Sequence, residues 1–229
     1  AGSWAGYRYL SGQWDDALAR AETIIAQAEA GARFYRTGAM YSFRGLIRLA
    51  RGDERGAETD AERALEHGRE NKDPQALYPD LAVAALVFQS TGNERRADET
   101  LSEAFGGLRE LRRLGFAANE LPSLAWVAVT RGRESELVGV IERESFVSPW
   151  LTATTAVLAR DFRAAADIFA EMGTATHEAF YRLRAAEQFV AEGRRAEADE
   201  QLRPALAFYR GVGATRYVRE GEALMAASA

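Results

Sequence analysis

Few side chains in this 229-residue chain could do chemistry, and their spacing keeps them apart. There are two histidines, His67 and His177, and no cysteine. Without cysteine there is no disulfide, no thiolate zinc site and no cysteine nucleophile. A histidine base needs a partner within hydrogen-bond reach, and none is legible beside either ring. His67 reads as a residue near a helix end, where the dipole favours a cation, and His177 as part of a helix start. Asp15 and Asp16 are the one adjacent aspartate pair. They open a helical pattern, where negative charge complements the helix dipole. No G-x-x-x-x-G-K-[ST] occurs, so no phosphate-cradling loop is expected. Gly211-Val212-Gly213 lacks the rest of a dinucleotide fingerprint and reads as a turn. The expectation is a chain with no catalytic residue, no metal ligand and no cofactor.

Binding chemistry is easier to place. Lys72 is the only lysine, so the basic side chains are almost all arginine, which with the abundant alanine reads as the codon bias of a GC-rich bacterial genome. Arg44, Arg48 and Arg51 recur at i, i+4 and i+7 and share one helix face. Guanidinium forks match phosphate and carboxylate, which makes this a candidate anion stripe. The competing and favoured reading pairs them with acids of the next helix, such as Glu54 or Glu58. Arg109, Arg112 and Arg113 are expected to close a long helix, where cations suit the dipole. Trp4, Trp14 and Trp150 read as packing between repeats. Trp126 is set apart, because its register puts it on the concave side with Ser42, Leu46, Leu49, Leu86, Gln89, Ser90 and Glu187. Apolar residues with a few polar groups make a groove for a peptide, a helix or a small molecule. Packing against neighbouring repeats is the alternative for the leucines.

The elements that must position these residues are helices. The chain is 47% hydrophobic and 28% charged, a balance that can bury a core and argues against disorder. The net charge of -5 and pI near 5.3 argue against a dedicated nucleic-acid surface. The longest apolar run, 81–88, is too short to cross a bilayer. No leader precedes it, and the chain opens Ala1-Gly2-Ser3 without a methionine, as a fragment or processed product would. A cytoplasmic location is the expectation, with no membrane contact. The closing Ala226-Ala227-Ser228-Ala229 reads as a natural stop.

Gly12, Gly52, Gly92 and Gly132 stand at a constant interval of 40. Five residues after each comes Ala17, Ala57, Ala97 or Leu137, and four further on Ala21, Ala61, Leu101 or Ile141. A glycine can end a helix in the left-handed conformation. Asp53 and Asn93 can cap the helix that follows. The small residue then lets two helices approach, and the i, i+4 spacing continues one buried face. Two further units keep this register around Ala165 and Phe169, and around Ala198, Leu202 and Ala205. First helices of the pairs are expected at 34–51, 75–90, 121–131 and 178–192, with starts marked by Asp73-Pro74 and Ser148-Pro149. A last helix over 214–227 should cap the array. The segment 138–147 is rich in β-branched residues; its register favours a helix, which Gly139 makes short or irregular. The interval breaks at 132–149, where a bend or subdomain joint is expected. No strand is predicted.

The predicted fold is therefore all-α, a single domain over 1–229 of about six helix pairs plus a capping helix. Pairs with a small-residue hinge, such as Leu46 to Leu65 and Phe180 to Leu202, resemble tetratricopeptide repeats, which implies a right-handed superhelical solenoid. The interval of 40 exceeds the roughly 34 residues usual in that family and suits the longer-helix variants of large bacterial signalling ATPases. The closing stretch HEAFYRLRAAEQFVAEGRRAEADEQLRPALAFYRGVGATRYVREGEALMAASA resembles the C-terminus of bacterial signalling proteins that join a cyclase-like domain, an AAA-type ATPase and a tetratricopeptide tail; LuxR-type regulators are related. The resemblance implies a non-catalytic interaction or regulatory module, with any cyclase or ATPase chemistry outside this chain. Its implied partner is a protein or peptide, another domain of the same parent chain, or a small effector. The alternatives are the effector-sensing domain of a LuxR-type regulator and, more remotely, a hydrolase on a helical scaffold. Circular dichroism of the purified chain should show the double minimum of helices; a sheet-type spectrum would exclude the repeat reading.

Overall fold

The four glycines of the ladder all turn the chain through positive φ: 81° at Gly12, 88° at Gly52, 78° at Gly92 and 66° at Gly132. In the computed structural model, which describes residues 2–227, each of these turns joins the two helices of a pair. Ala1, Ser228 and Ala229 lie outside the described residues. The pairs are α1 (Gly2–Leu10) with α2 (Trp14–Glu29), α3 (Thr37–Ala50) with α4 (Glu54–Asn71), and α5 (Pro74–Ser90) with α6 (Glu94–Glu110). A 3-10 turn, Gly115–Glu120, leads into α7 (Leu121–Thr130) with α8 (Glu134–Ile141). Then come α9 (Pro149–Leu158) with α10 (Phe162–Glu171), α11 (Ala175–Ala191) with α12 (Arg195–Gly211), and finally α13 (Thr215–Ala227). Among the described residues there is no strand, and no helix is long and apolar enough to cross a membrane.

The small-residue positions do what their spacing predicts. Ala17, Ala21, Ala57, Ala61, Ala97, Leu101, Leu137, Ala165, Phe169, Ala198, Leu202 and Ala205 are all sealed from solvent, whereas Ile141, at the matching position of the fourth unit, is half-buried. Second helices bury one stripe, whereas α5, lying between α3, α4, α6 and α7, is buried almost all round from Pro79 to Phe88. Asp53, Asp73, Ser148 and Asp161 cap their helices by accepting from Gly56, Gln75, Leu151 and Ala164. Asn93 precedes α6 but makes no side-chain cap. Arg109 sits in the last turn of α6, but the helix stops at Glu110, so Arg112 and Arg113 fall beyond it. The segment 138–147 is helical only to Ile141, and Phe146 and Val147 stand exposed in the extended stretch that follows.

First helices line one side: α1 packs on α3, α3 on α5, α5 on α7 and α7 on α9. The curvature brings the later ones back to the beginning. α11 touches α1, and α13 touches both α11 and α3. The last helix is therefore more than the end cap expected from its sequence: it closes the array onto its own concave side.

One turn departs from the rule. At the α9–α10 turn the left-handed position is held by Arg160, with φ 59°. A non-glycine residue there is strained by roughly 1–2 kcal/mol. Its side chain offsets part of this by donating to the Val129 carbonyl at 3.1 Å. Arg160→Gly should therefore leave the fold intact and raise its stability by up to ~1 kcal/mol in urea unfolding; a loss of that size would show that the Val129 bond outweighs the strain.

Candidate functional site

The place where the two ends of the chain meet is built from polar contacts laid over apolar packing. The Trp14 indole Nε1 donates to the Tyr9 carbonyl at 3.1 Å and lies 3.0 Å from Thr176 Oγ1, which itself donates to the same carbonyl at 2.5 Å. Tyr9 stacks on Trp14, and Phe208 meets the indole edge-on. A second set of contacts joins α13 to the α3–α4 turn. Thr215 Oγ1 donates to the Arg51 carbonyl at 2.9 Å, and Arg51 Nη2 donates to the Val212 carbonyl at 3.2 Å. Arg216 pairs with Glu54 and donates to the Ser90 carbonyl at 2.5 Å. These contacts form a seam between residues more than a hundred positions apart in sequence.

Beneath the seam lies a partly enclosed chamber of about 40 Å³. A water needs about 10–15 Å³ by this measure, so the space holds roughly three. Tyr9, Trp14, Phe43, Phe180, Tyr209 and Tyr217 line it, with Leu46 and Leu86 from the predicted groove. Its polar lining comes from Glu120, Ser123, Thr176 and His177. Glu120 is half-buried and lines this space. It has no hydrogen-bond or ion-pair partner among the described residues. Burial pushes it up to about 7, against the pull of Arg36. His177 Nδ1 and the Tyr209 hydroxyl are sealed from solvent and have no partner. Burial lowers His177 to about 4, so the ring is neutral near neutral pH; it stacks on Phe169 and meets Trp150 edge-on.

The other predicted groove residues separate. Trp126 and Glu187 share an open cleft with Arg160 and Arg184. There Trp126 packs edge-on against Phe180, and the Arg184 guanidinium lies 5.7 Å from its ring. Arg184 pairs with Glu187 at 3.1 Å and Glu220 at 2.5 Å. Burial raises Glu187 above the usual carboxylate range, Arg184 opposes this and Glu220 adds to it. Leu49 is part of the sealed core. Gln89 and Ser90 are half-buried, Ser90 serving the seam through its carbonyl. Ser42 is buried and donates to Asp80 Oδ1 at 2.9 Å.

The arginine stripe is committed within the chain. Arg44 grips Asp60 with two bonds, Nε to Oδ2 at 2.9 Å and Nη2 to Oδ1 at 2.7 Å, and Arg48 reaches the same carboxylate at 2.9 Å. Arg51 pairs with Asp15 at 2.6 Å. The acids are thus Asp60, Asp53 and Asp15 rather than the anticipated Glu54 and Glu58. Asp60 on α4 is fully buried, so the two guanidinium groups neutralise a charge that would otherwise be costly inside. His67 stacks on Tyr41. Among the described residues no cluster of histidines and acids could hold a metal.

Two interior acids escaped sequence reasoning. Asp80 is the only charged residue in 74–90 and Glu120 the only one in 115–130, and a lone acid in an apolar stretch is the signal that could have flagged both. Asp80 is tucked where Gly38 leaves no room for a Cβ, with Gly68 also close. No protein-family model matches the chain, and no curated protein is significantly similar to it.

Burial raises Asp80 from 3.8 to about 8. Between those values the folded chain keeps a proton that the unfolded chain has lost. This contribution to stability is complete below about pH 4 and drains away as the pH rises toward 8. His177 acts in the opposite sense: its contribution is present above 6.5 and is lost as the pH falls toward 4. In the window from pH 6.5 to 8 the Asp80 effect therefore stands clear of the histidine. Asp80→Asn should gain stability relative to the parent by about 2 kcal/mol across that window, one pKa unit being worth about 1.4 kcal/mol. Urea unfolding at the two pH values checks this, and a constant difference would contradict it.

Proposed function

We propose that the chain is a non-catalytic, tetratricopeptide-like interaction and regulatory module. Its helix pairs would coil as a right-handed superhelix, within a bacterial cytoplasmic signalling protein. The observation that carries this reading is the seam. First helices that would present a groove to a partner are covered by α11 and α13 of the same chain, and hydrogen bonds from Thr176, Thr215 and Arg216 supplement the apolar packing of that cover. Polar contacts of this kind are each worth about 1 kcal/mol net, far less than a core of equal area. The covered and uncovered forms are then close enough in free energy for a partner or effector to shift the balance. The partner side is a protein, a peptide or a neighbouring domain of the parent chain, recognised through Leu46, Leu86, Gln89 and Ser90 once α13 withdraws.

The double variant Thr215→Ala/Arg216→Ala removes the α13 half of the seam and should favour the open form by roughly 2–3 kcal/mol. Hydrogen exchange should quicken in α1, α3 and α13, and the radius of gyration from solution scattering should grow while helical content holds. An unchanged radius and unchanged protection in those helices would overturn the reading.

A further inference from the structure

We propose that the chamber beneath the seam is a binding site for a small primary ammonium ion, an alkylamine of about four heavy atoms in its protonated form. The inference names the effector class for the regulatory reading above and rests on it.

Charge is the first argument. Glu120 is a half-buried carboxylate lining the chamber, with no hydrogen-bond or ion-pair partner among the described residues. An isolated buried carboxylate is costly, and it is relieved either by taking up a proton or by a counter-cation. The arginines around the chamber are already committed: Arg51 to Asp15 and Val212, Arg216 to Glu54 and Ser90, and Arg184 to Glu187 and Glu220. Arg36 draws Glu120 down electrostatically but makes no hydrogen bond or ion pair with it, so no protein cation is in contact with the carboxylate and the position is left for one from outside.

The walls supply the second argument. Six aromatic side chains surround the space, and aromatic rings attract cations most strongly where water is excluded. The third is the number of unpartnered polar groups. The Tyr9 and Tyr217 hydroxyls and Ser123 Oγ have no hydrogen-bond partner among the described residues, and none is sealed off. An ammonium group carries three donors and no acceptor. It can give one to Glu120 and the others to phenol or serine oxygens, while its short alkyl stem lies against Leu46, Leu86 and Phe43. An anion would meet Glu120 and a ring of phenols. A neutral alcohol would leave the carboxylate uncompensated.

The test uses the full chain with two isosteric probes, isopropylammonium chloride and isopropanol, and sodium chloride at matched ionic strength. Isopropylammonium should raise the melting temperature saturably and give a one-to-one calorimetric isotherm; isopropanol and sodium chloride should do neither. Glu120→Gln should weaken the isotherm about tenfold or more, the loss expected when a charge-assisted contact is removed, and Tyr217→Phe should weaken it less, both with unchanged circular dichroism. Absence of a saturable response, equal binding of isopropanol, or undiminished binding by Glu120→Gln would each overturn the proposal. The outcome separates cleanly from that of the seam. Variants that open the chain without any ammonium binding would sink the ligand alone. Ammonium binding to a chain whose seam variants stay shut would sink the regulatory reading and leave the site standing.

Discussion

The Tyr9 carbonyl, at the end of the first helix, receives the Trp14 indole from the next helix and the Thr176 hydroxyl from the eleventh. A helix-end carbonyl has no partner within its own helix. Here the Gly12 N–H and the Trp14 indole serve it locally, and the Thr176 hydroxyl adds a bond from the far end of the array, so the curvature of every intervening pair must deliver α11 to one spot. The turns, the small residues at each hinge and the close packing of α3 on α4 all serve that delivery. In an open solenoid each repeat touches only its neighbours, and stability is close to a sum over adjacent pairs. A chain closed in this way adds terms between its ends, and the ends are consequently coupled to one another rather than free to fray.

Closure also decides the electrostatics of the interior. Concave residues of an open array would face water, and their carboxylates would be ordinary. Glu120, which lines the chamber under α11 and α13, loses hydration and is driven upward, and the neutral ring of His177 is favoured there; Asp80 is driven upward by its packing among α3, α4 and α5, against Gly38, Ser42 and Gly68. Asp60 shows the alternative solution, between α3 and α4. It is as deeply buried, but Arg44 and Arg48 reach it. The contrast between a carboxylate gripped by two guanidinium groups and one facing an aromatic chamber marks the latter as the unusual position.

How much of this was legible in the sequence follows from the range of each interaction. The glycine ladder, the caps at Asp53, Asp73 and Ser148 and the alanine stripes are local features with fixed offsets, and the helix pairs could be read from them. The early end of α8 was half legible in Gly139 and the β-branched run. Leu46 and Leu86, expected on an open concave groove, line the chamber beneath α11 and α13 instead. The pairing of Arg216 with Ser90 and of Thr176 with Tyr9 spans 126 and 167 positions, and nothing in the local pattern of either residue announces the other. For Arg44 and Arg48 the favoured pairing with acids of the next helix was legible, but not that Asp60 rather than Glu54 or Glu58 would be the partner, because its burial depends on packing that the sequence does not display.

An open repeat array can lengthen by duplicating a unit, because each new pair finds the same surface its predecessor offered. The chain described here has given up that freedom. A pair inserted between α2 and α11 would carry Thr176 past Tyr9 by the width of two helices and leave Arg216 facing the wrong turn. The number of units within the closed circuit is therefore set by geometry, in the way that the number of staves sets the girth of a barrel, and variation in length is confined to segments outside it.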